Sequence, residues 1–154
     1  MGPGTGMKDG ARTILLIDDS RVTLKAIRTI LELHPTWKVV GEAENGIQGL
    51  ALYQQLRPDV VILDFQMPGM NGIEVGQEIR KIAPNALLIL FSLHASKQLE
   101  DVAKAAGFDA VLSKGAPYPI VGIIEAMTSK ESATADGKVS EVQSASVTAI
   151  PPSE

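Results

Sequence analysis

The sequence predicts an α/β fold, a doubly wound five-stranded parallel sheet, on three observations. Five short apolar runs alternate with five stretches of helical spacing. The runs ILLI, VVIL and LLILF are apolar at nearly every position, which marks strands covered on both faces, as in a parallel sheet. Acidic, hydroxyl and amine side chains follow directly on several runs, at the rim where such a sheet binds its ligand.

Taken in order, the first strand is expected at Thr13 to Ile17, followed by a helix with Leu24, Ile27 and Leu31 on one face and Ile30 beside them. Trp37 to Val40 reads as the second strand, and its helix, roughly Ile47 to Leu56, is apolar over a broader arc. The third strand, Val60 to Leu63, leads to a helix spaced by Val75, Ile79 and Ile82. Ala86 to Phe91 forms the fourth, before a helix with Leu99, Val102, Ala103 and Ala106 at i, i+3, i+4 and i+7. The fifth, Ala110 to Leu112, precedes a helix carrying Ile120, Ile123, Ile124 and Met127. Five such units imply right-handed crossovers. Trp37 and Tyr53 are expected in the core or at its edge.

The 154 residues suit one domain with a core of its own. Residues 1–11, beginning MGPGTGMKDG, read as a flexible leader or tag, and 12–129 as the folded domain. The Ser-, Ala-, Thr- and Glu-rich residues 130–154 read as a disordered tail or a linker. A net charge of −4 and a pI near 5.2 argue against a nucleic-acid surface, and no DNA-binding helix pattern follows residue 130. With no cysteine, disulfides and thiol chemistry are excluded. No apolar run reaches the ~18 residues of a membrane span, and the expected location is the cytoplasm.

The chemistry gathers at the strand ends. Asp18 and Asp19 close the first strand in LLIDDSR, and Asp64 closes the third in VVILDFQMPGMNG. Each has a bland role open to it: Asp or Ser caps helices, and Asp before Pro68-Gly69 or Asn71-Gly72 starts turns. Together they are harder to dismiss. Strands 1 and 3 are neighbours in a doubly wound sheet, and two carboxylates about 5 Å apart repel by roughly 3 kcal/mol at an effective dielectric near 20. That cost suggests a cation, and oxygen-only ligands favour Mg²⁺ or Mn²⁺ over zinc. Ser92 in LLILFSLH and Lys114 in AVLSKGA end the fourth and fifth runs at the same rim. A carboxylate nucleophile, a hard cation, a hydroxyl and an ammonium suit phosphoryl transfer.

Asp18-Asp19, the segment DFQMPGMNGIE from Asp64 to Glu74, Ser92 and Lys114 resemble a bacterial two-component response-regulator receiver domain over about residues 12 to 129. The resemblance implies a flavodoxin-like sheet of order 2-1-3-4-5. It implies that Asp64 accepts a phosphoryl group from a sensor histidine kinase or a phosphotransfer protein. Asp19, Asp64 and the main-chain carbonyl of Gln66 would hold Mg²⁺, with Asp18 acting mainly through water. Ser92 and Lys114 would grip the phosphoryl oxygens, and phosphorylation would reshape helix 4, strand 5 and helix 5, a surface for a downstream target or a homodimer. Output would pass through protein contacts or through a domain outside this chain.

Three departures touch the switch. Val111 stands where receivers carry an aromatic residue, and its single χ angle cannot reproduce a large inward swing. Gly115 replaces the usual proline after Lys114, so a trans bond is expected. Leu93, in place of a small residue, narrows access to Asp64, while Gln66 and His94 occupy positions that tune phosphoryl loss in the family. A haloacid-dehalogenase-like hydrolase would need an acid at Gln66, and a P-loop would need lysine at Ile47. The reading left beside the phosphoacceptor is a pseudo-receiver that binds partners without phosphorylation.

Overall fold

The computed structural model describes residues 11–116 and 119–132; of the expected leader at 1–11 only Ala11, and of the expected tail at 130–154 only residues 130–132, lie within them. The chain alternates β1 (Arg12–Ile17), α1 (Arg21–Leu31), β2 (Trp37–Ala43), α2 (Gly46–Leu56), β3 (Val60–Asp64), α3 (Gly72–Ile82), β4 (Leu87–Ser92), α4 (Lys97–Ala105), β5 (Ala110–Ser113) and α5 (Pro119–Ser132). All strand pairs are parallel and the sheet order is β2-β1-β3-β4-β5. Helix α5 runs on through residues 130–132, which corrects the expected start of the tail at residue 130.

Side chains alternate across the strands, yet both faces are covered, and this explains the unbroken apolar runs. Ile14, Leu16, Val60, Ile62, Ile89 and Phe91 pack with Leu24, Ile27 and Leu31 of α1 and Ile120, Ile123 and Ile124 of α5. Leu15, Ile17, Val61, Leu63, Leu88 and Leu90 pack with Tyr53 of α2, Val75 and Ile79 of α3 and Ala103 of α4. Trp37 and Tyr53 are buried, as expected. Trp37 stacks on the His34 ring with centroids 3.9 Å apart.

Four helices start on side-chain caps: Ser20 accepts from Thr23 N, Asn45 from Gln48 N, Asn71 from Glu74 N and Ser96 from Leu99 N. Each cap satisfies a backbone donor that the helix leaves open. Two helical stripes are narrower than the spacing suggested. Ile82 is 40% exposed because it is the last residue of α3, and Val102 is 53% exposed. In α4 the small Ala103 is the seated residue, and Val102, about 100° round the helix from it, is turned to solvent. Strand β2 runs three residues beyond Val40, past a register shift opposite Ile14 and Leu15.

Candidate functional site

The parallel sheet brings the C-terminal ends of β1, β3, β4 and β5 to one rim. Ile17 pairs with Leu63, Asp64 with Phe91, and Ser92 with Ser113. The ladder then reaches past the strands. Asp18 N donates to Ala43 O at 2.9 Å, Phe65 N to Phe91 O at 2.9 Å, and Lys114 N to Ser92 O at 2.8 Å. These bonds fix the backbone from which Asp18, Asp64 and Lys114 project, so the site rests on sheet rather than on loop.

Four sequence-derived residues meet there, and Ser92 stands at the end of the neighbouring strand. Ligand oxygens of Asp18, Asp19 and Asp64 lie within 4.8 Å of one another. Asp18 and Asp64 are buried, whereas Asp19 faces solvent. Lys114 reaches over from β5 and donates to Asp18 Oδ2 at 2.9 Å and to Asp64 Oδ1 at 3.0 Å. The second oxygen of Asp18 accepts from Ser20 N at 2.8 Å, which couples the start of α1 to the cluster. Ser92, buried at the end of β4, takes a hydrogen bond from His94 N at 3.2 Å. Its hydroxyl donates to the His94 carbonyl at 3.4 Å, so both of its bonds go to its own loop in this state.

Burial dominates the titration of Asp64 and raises it to about 6; the Asp18 charge and the hydrogen bond with Asp19 push the same way, while Lys114 opposes them. For Lys114, burial pulls the ammonium down, but its bonds to Asp18 and Asp64 prevail and its pKa rises. The three acids thus face one ammonium. A hard divalent cation suits this donor set: oxygen ligands only, an excess of negative charge, and one open side at Asp19.

Other expected residues sit farther out. Gln66 is exposed in the β3–α3 loop, so its backbone carbonyl is the only part of it the expectation uses. Leu93 is 61% exposed and His94 is exposed, both just outside Ser92. Val111 is fully buried among the residues that pack beneath α3 and α4, with no aromatic ring to swing. Among the described residues there is no cis peptide bond, as expected after Lys114. Sequence reasoning passed over Gly72, which abuts the Asp64 backbone and starts α3. The signal was available: Asn71 with Glu74 three residues on is a capping box, not only a turn.

Comparison with known proteins agrees with this geometry. The family model described as the response regulator receiver domain matches residues 14–124. The nitrate/nitrite response regulator protein NarL of Escherichia coli K12 is 40% identical over 104 residues, which cover 66% of this chain and 47% of NarL. The chain thus spans about half the length of that relative. Chemotaxis protein CheY of Thermotoga maritima is 33% identical over 116 residues, 75% of this chain and 94% of CheY. The crystal structure of a LuxR-family two-component response regulator from Aurantimonas sp. SI85-9A1 superposes with a TM-score of 0.74 at 27% identity, covering 88% of this chain and 99% of that one. A five-stranded parallel sheet of order 2-1-3-4-5 is the fold of these structural neighbours. The chain belongs to the response regulator receiver domains of two-component systems.

Proposed function

We propose that this receiver accepts a phosphoryl group on Asp64, from the phosphohistidine of a sensor kinase or of a phosphotransfer protein. An Asp64 carboxylate oxygen forms the new P–O bond while the donor's P–N bond breaks and its electron pair leaves with the imidazole. The chain's role is to orient this carboxylate, and Lys114, already 3.0 Å from it, supplies positive charge to the incoming phosphoryl oxygens. Ser92 turns its hydroxyl from the His94 carbonyl, to which it donates at 3.4 Å, and donates instead to another of those oxygens. Asp19, Asp64 and the Gln66 main-chain carbonyl would hold Mg²⁺, with Asp18 as a further acidic partner. When bound, the ion neutralises charge on the transferring group.

The observation that carries this reading is the single ammonium shared by two buried carboxylates beside a third acid, at the tips of separate strands. The chain acts as a cytoplasmic signalling switch that assists only its own phosphorylation and dephosphorylation. It signals through protein contacts of α4, β5 and α5, to a target, to a second copy, or to an output domain of a longer regulator. The pseudo-receiver is the second reading, favoured by the fully buried Val111.

Acetyl phosphate separates the two. In Mg²⁺ the intact mass of the wild type is expected to rise by one phosphoryl group, and that of Asp64→Asn to stay unchanged. Equal behaviour of the two proteins would leave the pseudo-receiver, and full labelling of the wild type alone in excess chelator would remove Mg²⁺ from the reading.

A further inference from the structure

Asn71-Gly72 looks like a turn, but the backbone does not use its glycine as one. Gly72 is the first residue of α3, and positive φ among the described glycines occurs only at Gly69 and Gly107. Conformational freedom is therefore not the reason for glycine at this position. Space is. A Cβ on Gly72 would lie 2.2 Å from the Asp64 carbonyl oxygen, 2.9 Å from its carbonyl carbon and 3.0 Å from Leu90 Cδ1. The first two are backbone atoms at the end of a central strand and cannot rotate away. The neck is closed from the other side as well, since Gly72 N donates to Phe65 O at 2.9 Å.

From this contact we infer that Gly72 is a positioning residue for Asp64: its missing side chain lets the first turn of α3 seat against the back of the residue that carries the carboxylate. The inference rests on the phosphoacceptor reading above and adds a residue to it. A methyl group here forces β3 and α3 apart by a large fraction of an ångström. Misplacing a reacting group by about 1 Å can cost about 10²-fold in rate.

The fold supplies its own control. Gly76 lies one turn on in the same helix and is equally buried, and a Cβ there would meet the Phe108 ring at 2.3 Å, away from the acids. Gly72→Ala and Gly76→Ala both disturb the packing of α3, but only the first presses on Asp64.

The test uses the full chain, in sucrose to favour the compact state of both variants. The folded fraction is taken from circular dichroism, and the phosphorylation rate constant per folded molecule is measured at saturating acetyl phosphate in Mg²⁺. Gly76→Ala should keep the wild-type rate constant and Gly72→Ala should lose about ten- to a hundredfold. Equal rate constants in the two variants overturn the inference. Mg²⁺ affinity, followed by calorimetry, is the second readout, expected to weaken only in Gly72→Ala. Should the wild type take up no phosphoryl group, the phosphoacceptor reading fails by itself; equal Mg²⁺ affinities of the two variants would still overturn the role given to Gly72.

Discussion

Asp64→Asn should make the metal-free protein more stable at pH 7, by about 2–3 kcal/mol. Loss of a charged group from a hydrogen-bonded cluster ordinarily destabilises, so the sign is diagnostic. Burial holds the Asp64 pKa at about 6, well above its ordinary value of 3.8, so the folded state binds this proton more tightly than the unfolded chain does. Between about pH 4 and pH 6 the folded protein carries more protons at this site, and its stability falls as pH rises through that window. Above it, the wild type holds a buried carboxylate beside two others, with Lys114 as the opposing charge. Asparagine removes that charge while its oxygen can still accept from Lys114. Urea unfolding at several pH values reads the effect directly: the gap between the two proteins should open through the window and close below about pH 4. Mg²⁺ at about 1,000 times its Kd should reverse the order, because it then adds about 4.1 kcal/mol to the protein that binds it. A variant less stable than wild type without metal would mean that the acids are not strained.

The second large effect lies at the opposite end of the sheet. Arg80, near the end of α3, donates to the carbonyls of Pro84 at 2.8 Å, Ala86 at 2.6 Å and Gly107 at 3.1 Å, and pairs with Asp109 at 3.2 Å. Asp109 also accepts from Leu88 N at 2.9 Å, so one guanidinium ties α3, the α3–β4 connection, β4 and the approach to β5 together. The side chain is 22% exposed, and its removal leaves several carbonyls short of a donor. Arg80→Ala should therefore cost about 3–5 kcal/mol in chemical unfolding, at the high end for a single change. Arg80→Lys should recover little of it, because a compact ammonium cannot span partners that the planar fork reaches at once. A loss under about 1 kcal/mol for the alanine variant would show that water replaces these bonds at little cost. Mg²⁺ affinity per folded molecule should not change, since Arg80 is remote from the rim.

These two residues mark what the sequence could and could not convey. The strands were legible because both faces of the sheet are covered, which leaves β1, β3 and β4 apolar at every position of their centres. The site was legible because chain direction alone sends the residues after parallel strands to one rim; Asp18, Asp64, Ser92 and Lys114 needed only that rule to be grouped. Arg80 was not legible, since its partners at Gly107 and Asp109 are far away in sequence and four of its acceptors are backbone carbonyls that carry no residue signature. Gly72 was misread for a related reason: Asn-Gly is a local turn signal, while the contact that requires glycine is with a strand eight residues earlier. Spacing overstated Ile82, because periodicity does not give the distance of a helix end from the sheet, and Val102, because α4 seats only the narrow stripe at Ala103.

The proposed convergence of Asp18, Asp19 and Asp64 on one divalent cation underlies every functional statement above. Mn²⁺, which suits the same oxygen ligands and is paramagnetic, tests it most directly when titrated into ¹⁵N-labelled protein. The amide signals of Asp18, Asp19, Asp64 and Phe65 should broaden first and return when excess Mg²⁺ is added. Broadening centred instead on the surface acids of β2 or α4, or left unchanged by Mg²⁺, would contradict a shared metal site at these strand tips.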